Sequence, residues 1–468
     1  MDSLERAQAP QPGLAARPAS PARLARGAAL GVALGLTGAL MSGGCRGEDV
    51  YFDCEDQEAR FREVAEGEGA LLDPTPMGEP YPVALKLSED GVNRLLEGVV
   101  GQDVPFTGEL PFVWFSGPGT LHFEATTAPV IELEALEGCP TCVQYKIDFN
   151  VVLIGANQEP QGAGIGSVDF RIPMLLEPDG DRATILYADY TKLRVQELWL
   201  SAFGLETDEH MALVAALGQF MEEKIQESYG KTELLRLDSW EIGDNDVRLL
   251  ARKLFVFPNE DTLVLAMQSN LPLPPGGGLD INGEMSVGVP MEIEFDVALF
   301  QAMVERLLVE GDIPRIYDED GKPDEEGNYG VTIDSLTGAP AGQEFLTTEF
   351  KVWRFADGYC GYAVAQMDLD VDFDPQAGVS LTPSEVVVLA GQGSGAVAAQ
   401  DEQLVKDNQQ VVDTFKEAVA DNLVTTINYD ALGIEGSTIV FETLAKDVDV
   451  DHLDVWLDFF VVENPESP

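Results

Sequence analysis

The feature that most constrains this chain is an order of elements that occurs twice, on either side of Leu271-Pro272-Leu273-Pro274-Pro275-Gly276-Gly277-Gly278. Proline lacks a backbone donor and glycine gains little from regular structure, so this run reads as a linker. Before it, Pro82-Val83-Ala84-Leu85-Lys86-Leu87 is extended and turns at Ser88 into a helix with Val92, Leu95, Leu96, Val99 and Val100 on one face. After it, Pro290-Met291-Glu292-Ile293-Glu294-Phe295 is extended in its turn. A helix from Asp296 then aligns Leu299, Phe300, Met303, Val304, Leu307 and Leu308. Ser88 and Asp296 are good N-caps, because their side-chain oxygens can accept from the first free amides of a helix.

Alternating strand patterns follow in each half: 143–154, 168–176 and 183–190 in the first, 348–355 and 363–373 in the second. A longer helix comes next. After Thr207 it carries Leu213, Val214, Leu217, Phe220, Met221 and Ile225; after Asp401, Leu404, Val411, Val412, Phe415, Val419 and Leu423. Strands at 233–242, 247–257 and 262–269 close the first half, and at 437–444 and 453–462 the second. The order predicts an α+β fold of two tandem modules, each a curved, mainly antiparallel sheet wrapped around long amphipathic helices. The modules span 81–271 and 290–462, with the linker at 272–289 and a tail at 463–468.

The N-terminus has a different character. Arg6, Arg17, Arg23 and Arg26 precede an apolar run, Gly27 to Met41, and then Ser42-Gly43-Gly44-Cys45. Basic region, apolar stretch and small residues make 1–44 a secretory signal. The run is shorter than the roughly 20 residues a membrane-spanning helix needs. The cysteine after two glycines resembles the lipobox of bacterial lipoproteins, with Ser42 where that family prefers a branched aliphatic residue. The resemblance implies cleavage before Cys45, acylation of that residue, and membrane attachment through the acyl chains. Arg46 stands where a retention aspartate would hold an enterobacterial lipoprotein at the inner membrane, so the expected site is the outer membrane or cell surface. Residues 45–80 then read as an acidic tether with one short helix.

Charge narrows the partners. The chain has 82 Asp plus Glu against 28 Lys plus Arg, a net −54, which excludes nucleic acid as a partner by like-charge repulsion. Such a surface fits a salt-adapted source better than recognition of a cationic partner. With Cys45 lipidated, Cys54, Cys139, Cys142 and Cys360 remain, an even set for an oxidising compartment. Cys139-Pro140-Thr141-Cys142 has redox-pair spacing but leads into a strand, so no helix N-terminus lowers the thiol pKa. It reads as a staple at a strand turn, and elimination pairs Cys54 with Cys360.

Two such halves behind a signal resemble the tubular lipid-binding superfamily, which includes bactericidal/permeability-increasing protein; the likeness covers about 81–462. It implies curved sheets around long helices, a shared central sheet, and apolar tunnels that hold acyl chains. Leu95, Leu96, Leu217, Phe220, Met221, Phe300, Met303, Leu307, Val412 and Phe415 are then the candidate ligand-binding wall. Methionine adapts to irregular ligand shapes, and each CH₂ moved out of water contributes about 0.8 kcal/mol. Catalysis and cofactors are not expected. His122, His210 and His452 lack zinc-ligand spacing, and Gly391-Gln392-Gly393-Ser394-Gly395 has its serine one place late for a nucleophile elbow. No metal site is expected either; the acidic loop Asp318–Gly327 fails the calcium-loop register. The expectation is a membrane-anchored lipoprotein binding lipid or another apolar ligand. The alternative is a structural or adhesive envelope lipoprotein with solid cores and a protein partner.

Overall fold

The computed structural model describes residues 54–67, 79–100, 107–114, 117–126, 130–134, 138–180, 182–201, 206–242, 247–339, 343–356, 359–374, 378–393, 409–422, 424–425, 432–433 and 437–463. The signal, Cys45, most of the tether, Leu404 and Leu423 lie outside these residues, as does the Leu96 side chain.

The chain begins with α1 (Cys54–Gly67), β1 (Val83–Ser88) and α2 (Glu89–Val100). Strands β2 (Thr107–Trp114), β3 (Gly117–Ala125), β4 (Val130–Glu132), β5 (Cys142–Ile154), β6 (Pro160–Asp179), β7 (Ala183–Asp189) and β8 (Arg194–Leu200) follow. Helix α3 (Thr207–Tyr229) leads to β9 (Lys231–Asp238), β10 (Trp240–Ile242), β11 (Val247–Phe257) and β12 (Thr262–Ser269). Past the linker come β13 (Met291–Asp296), α4 (Val297–Glu310), β14 (Ile316–Tyr317), β15 (Tyr329–Gly338), β16 (Phe345–Ala356), β17 (Tyr359–Asp374) and β18 (Gly378–Gly393). The chain closes with α5 (Gln409–Asn422), β19 (Val424–Thr425), β20 (Leu432–Gly433), β21 (Ser437–Val448) and β22 (His452–Glu463).

The two capped helices start where their side chains allow. Ser88 Oγ accepts from Gly91 N at 3.1 Å, and Asp296 Oδ1 accepts from Ala298 N at 2.7 Å. Helix α4 stops at Gly311, whose φ of 87° is left-handed and costs glycine nothing, and whose amide donates to Leu307 O.

Three antiparallel sheets hold these strands. A nine-stranded path, β2-β3-β5-β6-β7-β9-β20, takes β4 on β5 and β8 on β6; a six-stranded sheet runs β14-β15-β16-β17-β18-β19. Between Pro173 and Met174, β6 changes partner from β5 to β7, carrying one strand around a curl.

The seven-stranded sheet draws on both sides of the linker, in the order β10-β11-β12-β1-β13-β22-β21. At its middle Val83 pairs with Phe295, Leu85 with Ile293 and Leu87 with Met291. These are the corresponding runs of the duplicated order, so the pairing is that of a strand with its own image about a local two-fold through Leu85 and Ile293. Strands β12 and β11 on one side answer to β22 and β21 on the other. Val83, Leu85 and Leu87 face the core. Lys86 faces the linker, where its Nζ donates to Glu284 O at 3.0 Å.

The expected fold class is overturned. The chain is mostly β, built of curled antiparallel sheets, with five α-helices among the described residues, and no sheet wraps around a long helix. Four of these helices are only 12 to 14 residues long, and α3 alone reaches 23. Each helix satisfies its apolar stripe against a few local strands: α2 on β1, β4 and β22, α3 on β2 and β8, α4 on β13 and β15, α5 on β18. Meanwhile β6 runs for 20 residues and β17 and β18 for 16 each, and β6 and β17 extend beyond the alternating runs 168–176 and 363–373.

Candidate functional site

Most of the candidate wall is closed core. Leu217, Met221, Val412 and Phe415 are 0% exposed, and Phe300, Met303 and Leu307 are buried. Their surfaces are taken up by neighbouring protein atoms, as where the Phe415 ring lies 5.2 Å from that of Phe350. Leu95 and Phe220 differ: both are only partly buried against the core.

Phe220 belongs to a half-open apolar seam along α3. Phe112 of β2, Val195 and Leu198 of β8, and Val214 of α3 are likewise packed on the core but partly exposed. Gly218 faces β8 here, and a Cβ there would make ordinary contact with Val195 Cγ1 at 3.8 Å and Leu198 Cδ1 at 3.9 Å. Phe220 rests edge-on against Phe123 at 6.2 Å. Met211 and Trp199, one on each wall-forming element, are exposed. In the second half, Val386 and Val388 of β18 and Ala418 of α5 repeat the half-exposed pattern.

The cysteines pair as the sequence indicates. Cys54–Cys360 joins α1 to β17 and Cys139–Cys142 closes the turn into β5, with Cα–Cα distances of 5.2 and 5.4 Å. Helix α1 is further held by Phe61, whose ring lies 5.2 Å from Phe355 and 6.0 Å from Trp353. A side chain at Gly330 would collide with that ring, a Cβ falling 2.6 Å from Phe61 Cε2.

A polar cluster lies on the linker-facing side of the seven-stranded sheet, and sequence reasoning did not find it. Lys86 Nζ sits 3.0 Å from Glu292 Oε1 and 2.7 Å from Glu294 Oε2. Trp456 Nε1 donates to the other Glu292 oxygen at 2.8 Å. Burial alone would lower the Lys86 pKa, but Glu292 and Glu294 more than offset it and hold the ammonium above its ordinary value. Asp454 is pushed up to about 7, first by burial and then by the charge of Glu292, against the opposing pull of His452. Burial disfavours the charged His452 ring, yet Asp454 and Asp451 raise its pKa overall. The only sequence signal for this cluster is period-two spacing, which shows shared faces but not which strands adjoin.

The other chemistry-bearing residues stay apart. His122 pairs with Glu109 at 3.1 Å, and His210 Nε2 contacts Leu200 O at 2.9 Å. In the 318–327 loop, Asp318 Oδ1 accepts from the amides of Asp320 and Lys322, and Asp324 Oδ1 from that of Glu326. These carboxylates serve their own turns. Among the described residues no helix is long and apolar enough to cross a membrane.

No protein-family model matches the chain, and no curated protein does. Among solved structures it is similar to a lipopolysaccharide binding protein, with 11% identity over 81% of this chain and 99% of that one, at a TM-score of 0.39. It is also similar to P47 of Clostridium botulinum E1, with 12% identity over 81% and 99% and a TM-score of 0.42. For P47 of Clostridium botulinum A2 the identity is 9% over 80% and 96%, and the TM-score is 0.43.

Proposed function

We propose that the protein is an exported lipoprotein, held through Cys45 at the outer membrane or cell surface of a bacterium, that binds lipid or another apolar ligand without catalysis. The observation that carries the reading is the half-open seam between α3 and β8, where Val195, Leu198, Val214 and Phe220 are packed on the core yet keep exposed apolar surface. An acyl chain laid along it would cover that surface at about 0.8 kcal/mol per CH₂, with few polar contacts required. Two disulfides support an oxidising compartment.

The test uses Cys45→Ser protein purified without detergent. Native mass spectrometry should show co-purifying lipid, and a fluorescent fatty acid should bind saturably, with binding lost in Leu198→Asp and retained in Asp320→Asn. A clean apo mass with no uptake would refute the reading. The closed packing around Phe300 and Phe415 favours a second one: a structural or adhesive envelope lipoprotein that needs a protein partner. That reading gains if Leu198→Asp changes nothing in lipid assays.

A further inference from the structure

His452, Asp454 and Glu294 stand on one face of the β13–β22 pair. Glu294 opposes Asp454 in register, and His452 precedes Asp454 by two residues on the same strand. Period-two alternation therefore sends all three side chains the same way. Potential ligand atoms from the three lie within 4.8 Å of one another, in a half-buried setting.

Two details of the geometry suit a bound cation. The first is the orientation of the imidazole: Nδ1 is engaged by the Asp451 carboxylate at 2.7 Å, which leaves Nε2 facing Asp454 Oδ2 at 3.6 Å. That gap is too long for a hydrogen bond. It suits two ligands that share one tetrahedral ion at about 2.0–2.1 Å each, which stand roughly 3.4 Å apart. The second is that Asp454 Oδ1 is buried with no hydrogen-bond partner. Lys86 Nζ is already paired with Glu292 and Glu294.

We propose that Glu294, His452 and Asp454 bind a divalent transition-metal cation of the zinc class, with water completing the coordination sphere. Asp451 is the positioning residue: it fixes the tautomer and aims Nε2. The ion would join β13 to β22 directly beside the start of α4. Sequence spacing alone could not reveal the set, because Glu294 lies on a strand far away in the chain.

The experiment strips the full chain with EDTA and titrates it with Zn²⁺ by calorimetry in 0.5 M NaCl, which screens the exposed carboxylates. One tight site per chain is expected, together with a visible d–d band when Co²⁺ replaces Zn²⁺. Asp451→Ala should weaken binding ~10–100-fold. His452→Ala and the near-isosteric Asp454→Asn should weaken it more and abolish the Co²⁺ band, while Asp320→Asn leaves both unchanged. If His452→Ala does not fold, Asp454→Asn alone decides. Absence of a tight site, or a site equally tight in Asp454→Asn, overturns the proposal.

Discussion

Phe415 faces Phe350 across the interface of α5 with the six-stranded sheet and keeps no exposed surface. Removing a fully packed ring leaves a void that its neighbours only partly refill. Phe415→Ala is therefore expected to cost about 3–5 kcal/mol in urea unfolding. A loss well under that range would mean the ring borders a hollow. Asp189 works through charge. Burial alone would raise its pKa, but Lys192, 2.8 Å away, and Thr191 outweigh burial and hold the carboxyl below its ordinary value. An acid with a depressed folded-state pKa stabilises the fold above its unfolded pKa of about 4, and that contribution is lost as pH falls through the folded one. Asp189→Asn should thus be less stable than the parent at pH 7, by about 1–2 kcal/mol, with the gap closing towards pH 3. A pH-independent gap would show that the carboxylate charge is irrelevant.

Among the elements, α1 depends most on a single bond. It lies on β15, β16 and β17 through Phe61 and is tied by Cys54–Cys360. Cys54→Ser is expected to destabilise the protein by about 2–4 kcal/mol and to open Arg60 and Arg62 to trypsin; unchanged cleavage would show that Phe61 alone suffices. This pairing was legible from cysteine parity, as were the helix starts at Ser88 and Asp296, where polar caps precede apolar stripes. The short strands β2, β3, β4 and β8 were not. Pro111, Pro118 and Gly119 interrupt the first two, and β8 alternates poorly because Leu198 and Trp199 both keep exposed surface. The half-open seam escaped notice for the same reason: hydrophobic spacing marks what can be buried, not what remains uncovered. Hence the wall candidates drawn from helix stripes fell mostly into closed core. Helix periodicity also gave the α-helices too large a part in the architecture. Its signal is strong over a dozen residues, whereas alternation marked β6 only at 168–176 and hid the full length of that curled strand.

Across the whole molecule, acids outnumber bases by 82 to 28. Self-repulsion on this scale favours the expanded chain, and salt shortens its range. The melting temperature should rise steadily from 0.01 to 1 M NaCl; a flat response would mean that the surface carboxylates lie too far apart to matter. The two-fold through Leu85 and Ile293 has a consequence of another kind. Its sheet is the one a half-length chain would make by docking edge to edge with a second copy of itself. In that homodimer, Lys86 would lie opposite the counterpart of Ala84 and close to its own symmetry mate, lysine beside lysine. Within one polypeptide the two edges need not be identical, and Lys86 stands against Glu292 and Glu294 where a strictly symmetric pair would set two lysines side by side.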